Sequence, residues 1–457
     1  MKDIYFIAIG GVGQSALAKI LIGMGYNVSG SDIQESKYTK MLEKMGAKIN
    51  IEQNAENIKE NMTIVVSSAI KEDNPELMKA RELNLKIMHR SDCLKFISEQ
   101  YDSFIGLAGT HGKTTTSGML SYVLEKINAN PTYAIGGFLP EYNINANVYK
   151  NSKYFIAELD ESDGTIQKYK PDYFLINNLE EDHLDHYKNG IKDIFETFKK
   201  TVSNMSDNSK IFVNIDNIGN REFLKLIENK NIITYSIQNS ASYIAKNIVF
   251  KDFETKFDVF KEDKLLSEIK LIIPGMHNVC NALGVISILD NLGFKIEDLK
   301  HHFETFSGMG RRFQLVADVK GIRIIDDYAH HPSEIKSTLS AIKNINRRKV
   351  AIFQPHRYTR LKALWNEFLG SFNDIDKLYV LDVFNAGDKF DERYNSKNFT
   401  DEFKKINKKP EIEYIKGNMQ EVSEEIAPEL MQNDVVLTLG AGDVTKIGGM
   451  INDLLAK

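Results

Sequence analysis

The chain has 457 residues and a formal net charge of −5, from 58 basic and 63 acidic side chains. This mild acidity, together with the lack of a long Lys/Arg tract, argues against a nucleic-acid partner. The length predicts about three domains, and the composition is that of an ordinary globular protein.

The two cysteines, Cys93 and Cys280, lie far apart in the sequence. A disulfide framework is therefore disfavoured and a reducing compartment is favoured. No apolar run reaches the roughly 18 residues of a membrane span. The first apolar stretch, 4–9, runs into glycines, so it is predicted to be a strand and not a signal peptide. We expect a cytoplasmic protein without a membrane partner.

Predicted strands and helices alternate along most of the chain, which indicates α/β domains with parallel sheets and crossover helices. A first, Rossmann-like domain is expected over 1–101. Its predicted elements are a strand at 4–9, a helix at 14–24, a strand ending near Ser29, a strand at 65–69 and a helix near 91–99.

A second domain, with a parallel sheet, is expected over 102–312. Its predicted strands are 103–108, 153–159, 172–177, 210–214 and 232–236, and its closing helices are 277–292 and 296–305. Residues 241–273 alternate polar and apolar side chains, which favours a small antiparallel insert. A third, Rossmann-like domain is expected over 313–457, after a candidate hinge at 308–310. Its predicted strands are 322–326, 349–353, 377–382 and 434–439.

The segment GTHGKTTT at 109–116 lies between a predicted strand and a predicted helix, the context of a phosphate-binding loop. Its glycines let the backbone approach phosphates, and free amides at the helix N-terminus attract anions. We expect Lys113 to reach the β/γ-phosphates of ATP and the Thr114 hydroxyl to bind Mg²⁺. The predicted ATP-binding residues here are Gly109, Thr110, His111, Gly112, Lys113, Thr114 and Thr115.

Acidic side chains follow two further apolar strands, in AELDESDG at 157–164 and NNLEEDHLDHY at 177–187. In open α/β sheets ligands bind at the carboxyl ends of strands, so these acids are candidate partners of a nucleotide-bound Mg²⁺. The alternative is a solvated acidic loop. His183 stands among four acids and could equally be structural.

The segment AIGGVGQS at 8–15, followed by Asp32, resembles a dinucleotide-binding fingerprint with Ala8 at its first glycine position. Backbone amides at a helix N-terminus can hold a diphosphate, and UDP carries one as NAD does. The loop therefore predicts a diphosphate ligand, which need not belong to a redox cofactor.

Two polar segments each follow a predicted strand: DDYAHHPSE at 326–334, with acidic side chains and two histidines, and FQPHRYTR at 353–360, with one histidine and two arginines. Arg357 and Arg360 would share one helix face if a helix begins there, and could then clamp an anion. A helix cap and ordinary surface charge are the alternatives.

Taken together, the motifs resemble those of the Mur ligases, in that family's order and over nearly the whole chain. They are AIGGVGQS, SGSD at 29–32, GTHGKTTT, ELDESDG, NLEEDHLD, GMHNVCN at 275–281, GRRFQ at 310–314, DDYAHHPSE, FQPHRYTR and GAGD at 440–443. DDYAHHP and PHRYTR favour the alanine-adding branch. The resemblance implies ATP-dependent ligation of L-alanine to the lactyl carboxylate of UDP-N-acetylmuramic acid, through an acyl phosphate, in peptidoglycan synthesis.

The resemblance also implies roles for individual residues. The UDP-sugar residues would be Gly10, Gly11, Val12, Gly13, Ser31, Asp32 and Ser67. Further ATP-binding residues would be His277, Asn278, Asn281, Arg312 and Asp327. Tyr328, His330, Arg357 and Arg360 would lie on the muramyl and amino-acid side. Lys113, Glu158, His183 and His330 would be catalytic, and Thr114, Glu158 and His183 would serve Mg²⁺.

Other classes stay open on the residues alone. A dinucleotide-binding oxidoreductase fits the first glycine loop but leaves the phosphate loop unexplained. A nucleotide-switch protein without catalysis is a second alternative, and a ligase that attaches recycled murein peptides to the same sugar nucleotide is a third. A monomer or weak homodimer is expected.

Overall fold

The structure is a computed structural model that describes residues 3–142, 144–182, 186–228 and 230–456. The packing divides the chain into two compact units. The first comprises Met1–Lys246, Asp258–Ile269 and Cys280–Phe303, and the second comprises Asn247–Phe257, Lys270–Val279 and Glu304–Lys457. None of the described helices is both long and apolar enough to cross a membrane.

The first sheet has five parallel strands in the order β3-β2-β1-β4-β5, which is the doubly wound order of a Rossmann-like unit. The strands are β1 Asp3–Ile7, β2 Asn27–Asp32, β3 Lys48–Ile51, β4 Thr63–Val66 and β5 Lys86–His89. The helices are α1 Val12–Gly23, α2 Lys37–Lys44, α3 Pro75–Glu82 and α4 Arg90–Ser98.

The second sheet has ten strands in the order β15-β14-β13-β12-β11-β10-β6-β9-β7-β8. The strands are β6 Ser103–Ala108, β7 Thr132–Leu139, β8 Ile144–Asn147, β9 Tyr154–Glu158, β10 Tyr173–Ile176, β11 Lys210–Asn214, β12 Asn231–Ser236, β13 Tyr243–Lys251, β14 Glu254–Lys261 and β15 Lys264–Leu271. The helices are α5 Lys113–Lys126, α6 Ile191–Asn204, α7 Ile218–Leu224, α8 Met276–Asn291 and α9 Ile296–Glu304. Strands β13 to β15 are the expected insert, joined by two-residue connections that only antiparallel neighbours permit.

The third sheet has six strands in the order β16-β17-β21-β18-β19-β20, parallel except for the edge strand β16. The strands are β16 Gln314–Val319, β17 Ile322–Asp327, β18 Lys349–Phe353, β19 Lys377–Leu381, β20 Glu411–Ile415 and β21 Val435–Leu439. The helices are α10 Pro332–Ile342, α11 Tyr358–Ala363, α12 Trp365–Leu369, α13 Ser396–Ile406, α14 Met419–Ile426 and α15 Thr445–Ala456.

The expected α/β class and the three sheets are confirmed. Alternate residues of the third sheet enter two different apolar clusters, because successive side chains point to opposite faces of a strand. Ala351 and Phe353 pack on one face, and Val350 and Ile352 pack on the other. The first two sheets share one continuous core, in which Leu17 of α1 and Phe155 of β9 are both buried.

This topology positions the loops that carry the motifs. Strand β6 lies between β9 and β10 and is parallel to both. The loops after these three strands therefore leave the sheet at the same edge. The phosphate loop follows β6, the first acidic segment follows β9 and the second follows β10.

Candidate active site

The glycine loop after β1 is held by the carboxylate of Asp32 at the end of β2. The Gly10 amide donates to Asp32 Oδ2 at 2.8 Å, and the Ile33 amide donates to Oδ1 at 2.8 Å. Gly11 is the N-cap of α1 and has no side-chain cap. The first amides of α1 can therefore donate to an anion.

Ser31 is fully buried beneath this loop, which differs from the expected direct role in sugar-nucleotide binding. Its hydroxyl donates to the buried carboxylate of Glu76 at 2.5 Å, and Tyr5 donates to the same carboxylate at 2.7 Å. The Ser31 side chain therefore supports the loop from below. Ser67, the residue after β4, is half-buried. Its carbonyl accepts a hydrogen bond from the Ile70 amide, which closes a turn.

The phosphate loop after β6 has the two left-handed glycines that its sequence suggests. The φ angles are +128° at Gly109 and +83° at Gly112. A side chain at Gly112 would also come within 2.8 Å of both Asn177 Nδ2 and Asn281 Oδ1, so two buried amides enclose the loop. The His111 amide donates to Asn178 Oδ1 at 2.7 Å. The loop is thus braced before any ligand arrives.

Lys113 lies at the centre of this site. Its ammonium donates to Gly109 O at 2.6 Å and to the two Glu161 carboxylate oxygens at 2.7 and 3.0 Å. Burial disfavours the charge, but attraction by Glu161, Glu158 and Asp160 outweighs burial and raises the pKa of Lys113 above its usual value. The side chain is therefore a fixed cation at neutral pH.

Thr114 and Glu158, the two expected oxygen ligands of a nucleotide-bound cation among the described residues, contact each other near Lys113. The Thr114 hydroxyl donates to Glu158 Oε2 at 3.0 Å, and the Gly136 amide donates to the same oxygen at 2.9 Å. His183, the third expected ligand, lies outside the described residues. Among the described residues no three His, Cys, Asp or Glu side chains converge as a metal cluster.

A cavity of about 430 Å³ connects the two loops within the first unit. Val12 and Gly13 of the glycine loop line one part of it, and Lys113 and Glu158 line another. Arg90, at the start of α4, also contributes to the wall. A diphosphate on the first loop and a triphosphate on the second would therefore approach one shared space.

In the second unit, Asp327 at the end of β17 is buried. Its two oxygens accept hydrogen bonds from the amides of Phe313 and Ala329, each at 2.8 Å. Burial raises the pKa of Asp327 to about 6, against the opposing attraction of Arg312 and of those two amides. Arg312 lies over the Tyr328 ring and 3.8 Å from Glu334.

The two adjacent histidines after β17 have different environments. His331 is the N-cap of α10, where its ring accepts from the Ser333 amide, so the helix-cap alternative holds for this residue. His330 contacts the rings of Tyr328 and His356, and its Nδ1 lies 2.9 Å from Tyr328 O. A carbonyl only accepts, so Nδ1 carries the proton and Nε2 keeps its lone pair. Burial lowers the pKa of His330, which favours this neutral form.

The arrangement of Arg357 and Arg360 differs from the expected shared helix face. Helix α11 begins at Tyr358, and Arg357 precedes it as an N-cap with a φ of +68°. The Arg360 guanidinium donates to His356 O at 3.1 Å and lies 2.9 Å from His356 Nδ1. Asp388 accepts from the amide and hydroxyl of Thr359 at 3.0 and 2.7 Å, which fixes the start of the helix.

The remaining expected residues lie at loop and helix ends. His277 and Asn278 are in the first turn of α8, where His277 lies 3.4 Å from the Ser337 hydroxyl and Asn278 donates to Pro274 O at 2.8 Å. The Thr110 hydroxyl accepts from the Glu180 amide at 3.0 Å. Thr115 is half-buried in the first turn of α5.

Sequence reasoning missed three residues of the site. It noted Glu161 among the acids but not as the partner of Lys113, and it did not select Gly136 or Arg90. Gly136 and Arg90 carry no local motif of their own. The glycine pair at 136–137, inside an apolar strand, was the one signal that pointed to a close backbone approach.

Three family models match successive parts of the chain: "Mur ligase family, catalytic domain" at residues 3–102, "Mur ligase middle domain" at 107–289 and "Mur ligase, glutamate ligase domain" at 311–442. Together they match most of the sequence and follow the same order as the three sheets.

Curated relatives extend the similarity over the full chain. A protein of Geotalea daltonii named UDP-N-acetylmuramate–L-alanine ligase is 36% identical, covering 100% of this chain and 98% of its own. A protein of Dictyoglomus turgidum with the same name is 40% identical, covering 98% and 96%. The crystal structure of the UDP-N-acetylmuramate–alanine ligase of Thermotoga maritima matches with a TM-score of 0.83 at 29% identity, covering 99% and 98%. The chain belongs to the Mur ligase family.

Proposed function

We propose that this protein joins L-alanine to the lactyl carboxylate of UDP-N-acetylmuramic acid at the expense of ATP. The products are UDP-N-acetylmuramoyl-L-alanine, ADP and phosphate. The observation that carries the proposal is the cavity that connects the glycine loop at Gly13 to Lys113 of the phosphate loop. It suits a sugar nucleotide whose carboxylate must reach the γ-phosphate of ATP, and the full-length relatives bear the name of this reaction.

In the first step a carboxylate oxygen of the sugar nucleotide attacks the γ-phosphorus of ATP, and the bond to the ADP oxygen breaks. An acyl phosphate and ADP result. The protein contributes position and charge, because phosphoryl transfer needs little covalent chemistry from the enzyme. Lys113 stays protonated, so it can stabilise the negative charge on the phosphoryl oxygens.

Mg²⁺ belongs to this proposal, and the donors of the first unit suit it. The Thr114 hydroxyl and the Glu158 carboxylate are adjacent hard oxygen ligands beside Lys113, and His183 is the proposed third residue. The bound ion would neutralise part of the phosphate charge. Thr114 and Glu158 would then exchange their mutual hydrogen bond for contacts with the ion.

In the second step the amine of L-alanine attacks the acyl carbon, phosphate leaves with one of the carboxylate oxygens, and the amine loses a proton. We propose that His330 accepts that proton as a general base, because its neutral ring is held in place and its Nε2 carries a lone pair. Tyr328, Arg357 and Arg360 are the proposed contacts of the muramyl group and the amino-acid carboxylate.

The remaining assignments stay part of the proposal. His277, Asn278, Asn281, Arg312 and Asp327 would contact the nucleotide. The glycine loop, Asp32 and Ser67 would contact the UDP portion of the sugar nucleotide. We place the protein in the cytoplasm as a monomer or weak homodimer, with domain boundaries at 101/102 and 312/313.

The test is phosphate release from ATP and Mg²⁺ in the presence of UDP-N-acetylmuramic acid, with L-alanine, glycine, L-serine or the recycled murein tripeptide as the amine. Release that needs both the sugar nucleotide and L-alanine supports the proposal. Release only with the tripeptide would transfer the protein to the recycling reaction. A protein that releases no phosphate with any amine would not be this ligase.

A further inference from the structure

Arg90 is a cationic residue of the cavity that neither the motifs nor the family resemblance assigns. It is the first residue of α4, its side chain is 36% exposed, and it lines the cavity between the glycine loop and the phosphate loop. Lys113, the other cationic residue that lines the cavity, already forms an ion pair with Glu161. Arg90 is therefore placed to meet an anion that enters the cavity.

The position of the guanidinium relative to the glycine loop is specific. A methyl group built on Gly13 would come within 2.7 Å of Arg90 Nη1 and 3.3 Å of its Cδ. A methyl group on Gly11 would meet nothing closer than Ala8 O at 3.6 Å. Arg90 thus packs against the second residue of α1, beside the amides that can hold a diphosphate. The third glycine of the loop leaves room for this arginine.

The guanidinium retains unused hydrogen-bonding capacity. Within the described residues the guanidinium forms one ion pair, with Asp160 at 3.6 Å, and no hydrogen bond. Arg311 provides the contrast, because it donates to Gly440 O at 2.6 Å, to Gly442 O at 3.2 Å and to Asp326. A guanidinium has five N–H donors, so Arg90 can still form a fork on an anion.

The backbone beneath Arg90 is held firmly on both sides. His89 caps α4 through the Ser91 amide, and Asp92 accepts the His89 amide at 3.1 Å. Lys168 donates to Asp92 at 2.6 Å and to Ser91 Oγ at 3.1 Å, which ties α4 to the second sheet's connection after β9. A residue on so rigid a support loses little freedom when it binds.

We propose that Arg90 binds the diphosphate of the UDP-sugar substrate, opposite the amides of the glycine loop, and so fixes where the carboxylate end of that substrate lies. The inference rests on the proposed function. The diphosphate is favoured over the lactyl carboxylate because Arg90 packs on Gly13, at the glycine-loop end of the cavity. Arginine suits this role better than lysine, because its planar fork matches two phosphate oxygens at once.

The experiment is calorimetry of UDP, uridine and ADP on the full-length protein and on Arg90→Ala, Arg90→Lys and Arg81→Ala. Arg81 is a matched control, an exposed arginine of helix α3 that pairs with Glu72 on the surface. Arg90→Ala should weaken UDP binding by about 10- to 100-fold, the range of charge-assisted hydrogen bonds. Uridine and ADP binding should stay within about twofold. The UDP affinity of Arg90→Lys should lie between those of the wild type and Arg90→Ala, and the UDP affinity of Arg81→Ala should equal that of the wild type.

Two outcomes would overturn the assignment. An equal loss of uridine and UDP binding would make Arg90 a structural residue of the domain. Unchanged UDP binding with a raised KM for UDP-N-acetylmuramic acid would move Arg90 to the carboxylate. The calorimetry needs no turnover, so it is independent of the ligase assay. A protein that shows the UDP-specific loss but releases no phosphate would keep the Arg90 site and lose the proposed function.

Discussion

Ala8 occupies a backbone conformation that L side chains avoid. Its φ is +62°, in the position where the dinucleotide fingerprint has its first glycine. The left-handed conformation destabilises the folded state by about 1–2 kcal/mol for alanine. Glycine removes this strain, but it also raises the conformational entropy of the unfolded chain, which offsets part of the gain. We predict that Ala8→Gly raises the free energy of unfolding by about 0.5–1 kcal/mol. Denaturant unfolding of the wild type and the variant measures this difference in free energy.

Ala18 provides a control of opposite sign. It is buried inside α1, where glycine should lower stability by about 1 kcal/mol for helix propensity alone. If Ala8→Gly were as destabilising as Ala18→Gly, the left-handed conformation of Ala8 would be wrong.

Lys113 and Glu161 form a buried ion pair whose two members should differ in importance. Lys113→Met should lower the rate of phosphate release by about 10²- to 10³-fold, since it removes a fixed charge from the phosphoryl site. It should also lower stability, because a buried carboxylate loses its partner. Adding Glu161→Gln should restore stability but not activity. Near-normal turnover of Lys113→Met would refute the assignment of the phosphate loop.

Asp327 should give stability a specific pH dependence. Its folded pKa of about 6 lies above the unfolded value of about 3.9, because burial disfavours the charge. The folded state then binds the proton more tightly, so the stability from this group is greatest at low pH and falls as pH rises towards 6. Between pH 4.5 and 7.5, the unfolding free energy of the wild type relative to Asp327→Asn should fall by about 2 kcal/mol. A pH-independent difference would contradict the raised pKa.

At the residue scale, the sequence could predict residues whose backbone conformation is required by a local motif. Gly109 and Gly112 have the positive φ angles that a phosphate loop requires. Glu161 and Lys113 are 48 positions apart, and Arg90 meets Gly13 across two elements. Such pairings depend on tertiary packing, which no local pattern in one sequence encodes.

At the scale of elements, the end of α1 packs against Val148, the residue after β8, so closely that there is no room for a methyl group. A side-chain carbon on Gly23 would lie 2.3 Å from Val148 Cγ1. Gly23→Ala should therefore destabilise the protein by about 1–3 kcal/mol, although alanine is the better helix former. Gly23→Ala with Val148→Ala should recover much of that loss. Thermal unfolding of the wild type and these two variants measures this, and a Gly23→Ala variant that is more stable than the wild type would contradict the contact.

The strands that the sequence predicted are the buried, apolar ones. Strands β6, β9, β10 and β18 are buried on both faces, so their uninterrupted apolar runs are plain in the sequence. Among the missed strands, β3, β16 and β20 are edge strands, where polar side chains alternate with apolar ones. In β7 the glycine pair interrupts the apolar pattern.

At the scale of the whole molecule, the alternation of strands and helices was enough to predict three α/β sheets. It could not predict that the first two sheets share one core within a single compact unit, because that depends on how α1 packs against β7 and β8. One link is the Asn145 side chain, which donates to Val12 O at 3.0 Å, and another is Lys19, which donates to Ala146 O at 2.6 Å. The cavity exists because these sheets are joined.

The most direct test of the account follows one oxygen atom. UDP-N-acetylmuramic acid labelled with ¹⁸O in its lactyl carboxylate is turned over with ATP, Mg²⁺ and L-alanine, and the released phosphate is analysed by mass spectrometry. Activation through an acyl phosphate predicts that each phosphate carries one oxygen from the carboxylate. Unlabelled phosphate, released at the same rate as the peptide bond forms, would contradict the proposed chemistry.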